Sequence, residues 1–218
     1  MGHDDKRMTH GPGRTADLAR TYRDYAEALY HALADDPFYK TMERKVADPA
    51  RAKDAMLCYY DYSICEAARF GKIVEPGGGP HGVSIWSLPL AEAEAREKKL
   101  QKKRLIQREM GESCLAAYEG INAFMSRVAE PLTSDRDWYL SILGILPEHQ
   151  GKGLGGDLIR PVLNLADAAG IATFLETFTP RNMSFYQRLG YTVAGSFHEP
   201  LTESRYWLLR RPPRPAEP

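Results

Sequence analysis

A glycine-rich segment, PEHQGKGLGGDLIRP at 147–161, opens a predicted helix and carries a single lysine. Glycine lets the backbone approach a ligand closely, and the first N–H groups of a helix have no acceptor within the helix. Such a turn holds phosphate or pyrophosphate, and Lys152 adds a positive charge at its mouth. The segment therefore predicts a site for a pyrophosphate-bearing ligand. Its glycines are Gly151, Gly153, Gly155 and Gly156.

Three other interpretations of this loop compete with a pyrophosphate site. The glycines at 151, 153 and 156 satisfy the dinucleotide pattern GxGxxG, and Glu176 follows twenty residues later. However, PEHQ separates the loop from its strand, and too few residues remain to complete a doubly wound sheet. A Walker A loop fails because Leu146 replaces its first glycine and Gly153 its Ser or Thr. A glycine turn that only tightens helix packing is the third interpretation.

A carboxylate stands in the middle of an apolar segment, FLETF at 174–178. Burying a carboxylate is costly unless the group is paired or has a function. Glu176 is therefore either a general base, acting directly or through water, or an ion-pair partner of Arg181. The sequence leaves these two roles equally open.

Hydrophobic periodicity predicts the elements that position these groups. The apolar segments on either side of the glycine loop predict a strand, helix and strand with parallel pairing. The segments AARFGKIVEP and GVSIWSLP flank the turn-forming GGGPH at 77–81 and predict a hairpin. The predicted helices span 18–33, about 49–66 and a pair within 89–132; the later strands span 138–146, 173–178, 191–198 and 204–210.

Composition indicates one globular domain, 15–210, with a helical insertion at 89–132, a binding core at 138–210, and flexible ends at 1–14 and 211–218. Lys plus Arg and Asp plus Glu number 29 each, so no overall charge attracts nucleic acid or an anionic membrane. The charged run KKLQKKR favours a solvated helix face. No apolar stretch suits a membrane span or secretory signal, which favours the cytoplasm.

The cysteines, Cys58, Cys65 and Cys114, are odd in number and show no metal-ligand spacing. They are interpreted as reduced packing residues, and no metal site is expected.

Two motifs in order resemble a known family. GILPEHQGKGLGGDL resembles the Q/R-x-x-G-x-G/A acetyl-CoA loop of the GNAT acyltransferase superfamily, with Gln150, Gly153 and Gly155 on its defining positions. PRNMSFYQRLGYTVAG is similar to the second signature of that family, and the likeness is strongest to its puromycin N-acetyltransferase branch. The resemblance implies an α/β (α+β) fold with a mixed, splayed sheet that holds acetyl-CoA in its gap. The first strand of the family is expected to be missing or displaced.

The resemblance also implies roles for individual residues. Backbone around Leu143, Gly144 and Ile145 would hold the pantetheine arm and acetyl carbonyl, with Gly144 marking the bulge that splays the strand. Asn182 would reach the pantetheine, and Tyr186 occupies the general-acid position, although it could instead be a packing residue. The phosphates would rest on Gln150, Gly151, Lys152, Gly153, Leu154, Gly155 and Gly156.

The resemblance implies an acceptor pocket lined by the first helices, the hairpin and the insertion, and the aromatic residues there suit a flat or amphipathic amine. By analogy with the family, an aminonucleoside or antibiotic-like amine is expected. The function expected is acetyl transfer from acetyl-CoA to a small amine by direct attack in a ternary complex. A non-catalytic acyl-CoA-binding module and a nucleotide-dependent oxidoreductase are the alternatives. The predicted acceptor-binding residues are Phe38, Tyr39, Tyr59, Trp86 and Trp138.

Overall fold

The structure is a computed structural model that describes residues 22–214. Seven α-helices and a six-stranded sheet make up this part of the chain. The helices are α1 (Arg23–Ala32), α2 (Pro37–Arg44), α3 (Ala52–Phe70), α4 (Glu92–Met110), α5 (Glu112–Ala129), α6 (Leu154–Ala168) and α7 (Met183–Arg188). The strands are β1 (Gly71–Val74), β2 (Gly82–Ser87), β3 (Trp138–Ile145), β4 (Thr173–Thr177), β5 (Thr192–Glu199) and β6 (Ser204–Arg211).

The sheet is open and mixed, with the strand order β1-β2-β3-β4-β6-β5. Only β3 and β4 pair in parallel, and α6 is the crossover helix between them. The predicted hairpin, βαβ unit, helical insertion and α/β fold class are therefore confirmed. Within residues 22–214 no strand precedes α1, and the part of the predicted first helix before residue 22 lies outside the described chain.

Helices cover both faces of the sheet. One hydrophobic cluster joins the helices before β3 to side chains such as Val83, Ile85 and Ile142. The other joins α6 and α7 to the opposite face through Trp86, Leu140 and residues of the last strands. The sheet thus separates a face covered by the first five helices from a face covered by α6 and α7.

The helix α2 begins where a capping residue and a proline coincide. The carboxylate of Asp36 accepts a hydrogen bond from the N–H of Phe38 at 2.9 Å, and Pro37 stands at the first helical position. Both features favour a helix start, because they satisfy or remove N–H groups that have no helical acceptor. The cap holds the Asp36 carboxylate beside the sheet face that the first five helices cover.

A β-bulge interrupts the pairing of β3 with β2. Ile85 pairs with Ile142, but the next residue, Trp86, pairs with Leu140, which leaves Ser141 as the extra residue. The extra residue reverses the alternation of side chains, so Leu140 and Ile142 lie on opposite faces of the sheet.

The expectation that Gly144 marks the bulge is wrong. Gly144 pairs in register with Val83, on the far side of the bulge at Ser141. A Cβ atom at Gly144 would lie 2.4 Å from Cδ2 of Leu29 in α1, so the glycine is required by the close approach of that helix.

The sheet opens between its two central strands. Parallel pairing of β3 with β4 joins Trp138, Tyr139 and Leu140 to residues 173–175 and then stops. Beyond Leu140, β3 stays paired with β2 and β4 stays paired with β6. The strands therefore diverge, as the predicted splayed sheet requires, and the gap is open toward the glycine-rich loop.

The ordered chain extends further than the sequence suggested. Arg211, assigned to the start of a flexible tail, is the last residue of β6 and is buried. Its guanidinium donates to both carboxylate oxygens of Asp167 at 2.7 Å, and Asp167 also accepts from the N–H of Arg214. The tail boundary at 211 is therefore wrong. No helix in the part of the chain covered by the structure is long and apolar enough to cross a membrane.

Candidate active site

The glycine-rich loop lies directly after β3, at the open end of the gap. Two of its glycines have left-handed backbone angles, with φ of 75° at Gly151 and 89° at Gly153. An added Cβ at either position would meet nothing within 4 Å, so conformation, and not crowding, requires glycine there. At Gly155 the reason differs, since a Cβ would lie 2.9 Å from Cζ of Phe185 in α7. The loop is thus shaped both by turn geometry and by close helix packing.

This loop fits a pyrophosphate. Among the hydrogen bonds formed within residues 22–214, none uses the main-chain N–H groups from Gly151 to Gly155. Five consecutive N–H groups at a helix start make an anion cradle. The side-chain amide of Gln150 donates to the carbonyl of Ile145 at 2.9 Å, which fixes the cradle to the end of β3. Lys152 is exposed beside the cradle, Leu154 and Gly156 begin α6, and Arg160 lies over Gly156.

Replacing Gly153 with alanine is expected to weaken acetyl-CoA binding about tenfold or more. A Cβ disfavours the left-handed angle at 153 by roughly 1–2 kcal/mol and turns the neighbouring N–H groups away from a common centre. Gly170→Ala is a matched control, because Gly170 also has a positive φ, of 65°, with open space around it, but follows the far end of α6. Calorimetric titration with acetyl-CoA should separate the two variants. Equal affinities would contradict the assigned role of the loop.

A cavity of about 730 Å³ lies at the opening of the sheet, on the face that the first five helices cover. Helices α2 to α5 form its walls, and β2, β3 and β4 form its base. Three residues predicted to bind the acceptor, Phe38, Tyr39 and Tyr59, line it. Tyr118 and Tyr139 also line the cavity, so its lining combines aromatic rings with charged side chains, including several lysines of α4. Tyr39 and Tyr59 contact each other edge to face, with ring centroids 6.3 Å apart.

The two predicted tryptophans lie elsewhere. Trp86 is fully buried in the cluster beneath α6 and donates to the hydroxyl of Ser84 at 3.1 Å. Trp138 packs at the edge of the same cluster. Neither lines the cavity, because both side chains point to the face of the sheet that α6 and α7 cover. These two residues therefore carry a packing role in place of the expected acceptor contact.

Glu176 lies where β4 diverges from β3, and its side chain faces the cavity. Tyr139 donates a hydrogen bond to its Oε2 at 3.2 Å, while Oε1 is buried and has no partner among the described residues. Burial raises the pKa of Glu176 to about 7, and the hydrogen bond from Tyr139 opposes the increase. Across residues 22–214 no ion pair joins Glu176 to Arg181, which is exposed. The ion pair with Arg181 is therefore not observed, and the general-base role of Glu176 stays a prediction.

A second carboxylate lines the same cavity. Burial raises the pKa of Asp36 to about 6, although the N–H groups of Phe38 and Tyr39 favour its charged form. Asp36 and Glu176 thus place two buried carboxylates in the cavity, alongside the lysines that α4 contributes to its lining. The sequence offered a signal for Asp36 only as a helix cap.

Tyr186 lies on α7 and is buried in the cluster on the opposite face of the sheet. Its ring contacts Phe185 and Tyr191 with centroids 5.1 and 6.0 Å apart. Burial raises the pKa of the Tyr186 phenol, and the nearby Tyr191 and Asp36 act in the same direction. The phenol therefore stays protonated at neutral pH and can act as a donor. Asn182 is half-buried and immediately precedes α7.

Sequence analysis missed a buried ion pair in the cavity wall. Lys102 is 7% exposed and its Nζ lies 3.3 Å from Oε2 of Glu66 and 2.8 Å from Oγ of Ser63. Burial lowers the pKa of Lys102, and Glu66 opposes that decrease. The interpretation of KKLQKKR as an entirely solvated face is therefore wrong at Lys102. Its spacing from Leu105 and Ile106 on the buried side of α4 was the available signal.

The described residues contain no cluster of three or more His, Cys, Asp or Glu side chains that could hold a metal ion. Cys114 is buried and Cys58 is partly buried.

Comparisons with known proteins agree with this geometry. The family model for the acetyltransferase (GNAT) domain matches residues 111–193, which contain the loop, Glu176 and Tyr186. An uncharacterized N-acetyltransferase of Schizosaccharomyces pombe is 24% identical over 185 residues, which cover 83% of this chain and 74% of that protein.

Solved structures of acetyltransferases share the fold. A structure described as histone acetyltransferase HPA2 and related acetyltransferase, from Corynebacterium glutamicum, has a TM-score of 0.62 at 21% identity over 95% of this chain and 96% of that one. Arylalkylamine N-acetyltransferase 2 from Aedes aegypti has a TM-score of 0.56 at 16% identity, covering 89% and 95%. A polyamine N-acetyltransferase of Drosophila melanogaster has a TM-score of 0.52 at 14% identity, covering 89% and 96%.

Proposed function

We propose that this chain is a GNAT acyltransferase that transfers the acetyl group of acetyl-CoA to the amine of a small aromatic molecule; the GNAT-domain match and the N-acetyltransferase relative support this assignment. The observation that carries the proposal is the position of Glu176. Its carboxylate faces an aromatic cavity at the point where the sheet opens, while the anion-binding loop lies at the end of β3. An amine in the cavity and an acetyl group in the gap would therefore meet beside Glu176.

Binding of the acceptor follows from the lining of the cavity. An aromatic ring packs favourably against tyrosine and phenylalanine side chains, and an ammonium group is attracted by Glu176 and Asp36. The arylalkylamine named for the mosquito structure combines these two features, whereas the polyamine named for the fruit-fly structure has only the charge. Aminonucleosides also combine an amine with aromatic rings and belong to the same proposal.

In the proposed reaction one residue removes a proton from the amine and another donates a proton to the leaving sulfur. Bound acetyl-CoA supplies an activated acetyl group through its thioester. Glu176 takes a proton from the incoming ammonium, which frees the nitrogen lone pair for attack, either directly or through one water molecule. Tyr186 holds a proton on the other face of the sheet, where it can be donated to the leaving sulfur as the C–S bond breaks. As the amide forms, the remaining extra proton on nitrogen passes through water to the Tyr186 phenolate, and Glu176 releases its proton to solvent, so both residues regain their starting states.

Backbone groups in the gap complete the proposed site. β3 has no partner on its β4 side beyond Leu140, so main-chain groups around Leu143, Gly144 and Ile145 are available to the pantetheine arm. A donor in that position stabilises negative charge that develops on the acetyl oxygen. Asn182, directly before α7, would contact the same arm.

The proposal is tested by measuring release of the CoA thiol from acetyl-CoA in the presence of amines. The panel should contain phenethylamine, tryptamine, puromycin, spermidine and lysine, and the products should be identified by mass spectrometry. We expect acetylation of aromatic amines and little acetylation of spermidine. Thiol release with no amine of the panel consumed would contradict transfer to a small amine. Thermal stabilisation by NAD and not by CoA would contradict the assignment of the loop.

A further inference from the structure

The wall of the acceptor cavity contains a further buried carboxylate, Glu66 on α3. Its side chain is nine-tenths buried, and it lines the same cavity as Glu176. Oε2 of Glu66 pairs with Nζ of Lys102, but Oε1 is buried and has no hydrogen-bond partner among the described residues. A buried acceptor without a donor is costly, so such a group in a binding cavity points to a donor supplied by the ligand.

The surroundings of Glu66 determine which kind of donor fits. Lys102 already supplies one positive charge to this carboxylate, and its Nζ also lies 4.9 Å from the ring centroids of Tyr59 and Tyr62. Lys98 and Lys99 line the same side of the cavity. A second cation beside Glu66 would leave a buried excess of positive charge, which is unfavourable. A neutral donor adds no charge, and a hydroxyl group is the simplest of these.

Aromatic side chains surround the path between the two carboxylates. Burial raises the pKa of the Tyr59 and Tyr118 phenols, and the nearby charge of Glu66 adds to both increases. Tyr139 contacts Glu176 directly. All three tyrosines line the cavity. Because Glu66 and Glu176 line one cavity, a flat ring packed among these tyrosines can reach both carboxylates.

We propose that Glu66 is a specificity-determining residue, whose free carboxylate oxygen accepts a hydrogen bond from a hydroxyl group on the aromatic ring of the acceptor amine. This inference rests on the proposed function, because Glu176 must receive the amine of the same molecule. It narrows the acceptor class to hydroxyaryl alkylamines. Lys102 and Ser63 position the Glu66 carboxylate for this contact.

The proposal is tested on the wild-type protein with amines that differ by one hydrogen-bond donor. Tyramine and its meta isomer carry the hydroxyl, phenethylamine lacks it, and 4-methoxyphenethylamine keeps the oxygen without the hydrogen. We expect kcat/KM for at least one hydroxylated amine to exceed that for phenethylamine and for the methoxy compound by about tenfold or more, because an unmet buried acceptor strongly disfavours the analogue that lacks the donor. Equal values for all four amines would overturn the inference and leave the proposed function intact.

The variant Glu66→Gln supplies the second test. Its amide oxygen can still pair with Lys102, but the NH₂ group takes the place of Oε1 and cannot accept a hydrogen bond. The preference for the hydroxylated amine should therefore fall to within about threefold, because the variant no longer accepts from the ring hydroxyl. Glu97→Gln is the matched control, since Glu97 is an exposed carboxylate on α4 that pairs with Arg69 at 3.5 Å and does not line the cavity.

Binding measurements keep the outcome decisive if Glu66→Gln is poorly folded. Calorimetric titration of tyramine and phenethylamine into wild-type protein with CoA should show the same preference as the kinetics. A retained preference in a folded Glu66→Gln variant would overturn the proposal. If none of the aryl ethylamines is bound or acetylated while spermidine or lysine is consumed, the aromatic acceptor class and this inference fail, but amine acetylation stands.

Discussion

Replacing Glu176 with glutamine is expected to lower kcat/KM for the acceptor amine by about 10² to 10³, because a positioned general base contributes on this scale. The substitution keeps the size of the side chain and its contact with Tyr139, whose hydroxyl can donate to the amide oxygen. Acetyl-CoA affinity should stay within about threefold, since the phosphates rest on the loop after β3. Steady-state kinetics and calorimetry on the same preparation separate the two effects.

The pH dependence gives this prediction a distinct signature. The pKa of Glu176 is about 7, so the carboxylate is protonated and inactive as a base below that pH and ionised above it. Wild-type kcat/KM for the amine should therefore rise tenfold per pH unit below about 7 and level off above it. In Glu176→Gln this plateau should vanish, and the rate should keep rising toward the pKa of the free amine, about 10.

Tyr139→Phe is the companion variant. The hydrogen bond from Tyr139 to Oε2 of Glu176 favours the charged carboxylate, so its removal should move the limb of the pH profile to higher pH. The expected change is a shift of the limb with a plateau rate close to the wild type. A limb near pH 7 that persists unchanged in Glu176→Gln would show that another group, such as Asp36, is the base.

The sequence predicted most elements of this fold, because they depend on local periodicity and turn residues, but it missed the short helix α2 (Pro37–Arg44). The bulge at Ser141 could not be predicted. An undisturbed strand would place Leu140, Ile142 and Gly144 on one face, whereas the extra residue at Ser141 transfers the last two to the face beneath α1. A strand bulge depends on the register of its partner, which local sequence does not specify.

In the candidate site, too, features set by local sequence could be predicted, whereas features set by tertiary packing could not. The loop from Gln150 to Gly156 follows from glycine chemistry and could be predicted, as could Glu176 from its isolation in an apolar strand. Trp86 could not be assigned, because a buried core tryptophan and one lining a cavity have the same local pattern. Lys102 and Glu66 lie 36 residues apart in sequence on different helices. Their pairing depends on how α3 packs against α4.

The substitution Tyr186→Phe is expected to reduce kcat by about 10- to 100-fold and to change acetyl-CoA affinity by less than about threefold. The phenyl ring keeps its packing against Phe185 and Tyr191, so only the hydroxyl is lost. The pKa of a phenol is already above that of a thiol, and burial raises the pKa of Tyr186 further. Complete proton transfer from Tyr186 to a free thiolate is therefore uphill. The benefit of the hydroxyl therefore lies in donation to the sulfur while charge develops in the transition state.

Tyr191→Phe is the matched control for this effect. Tyr191 belongs to the same buried cluster, but its hydroxyl accepts a hydrogen bond from Oγ1 of Thr173 at 2.9 Å. Its loss should lower the free energy of unfolding by about 1 kcal/mol and leave kcat unchanged, because that hydroxyl bonds within the core. If Tyr186→Phe behaves like Tyr191→Phe, water and not Tyr186 supplies the proton. A decrease in kcat confined to Tyr186→Phe would place the donor on α7, across the sheet opening from Glu176, so that proton removal and proton donation occur on opposite faces of the same gap.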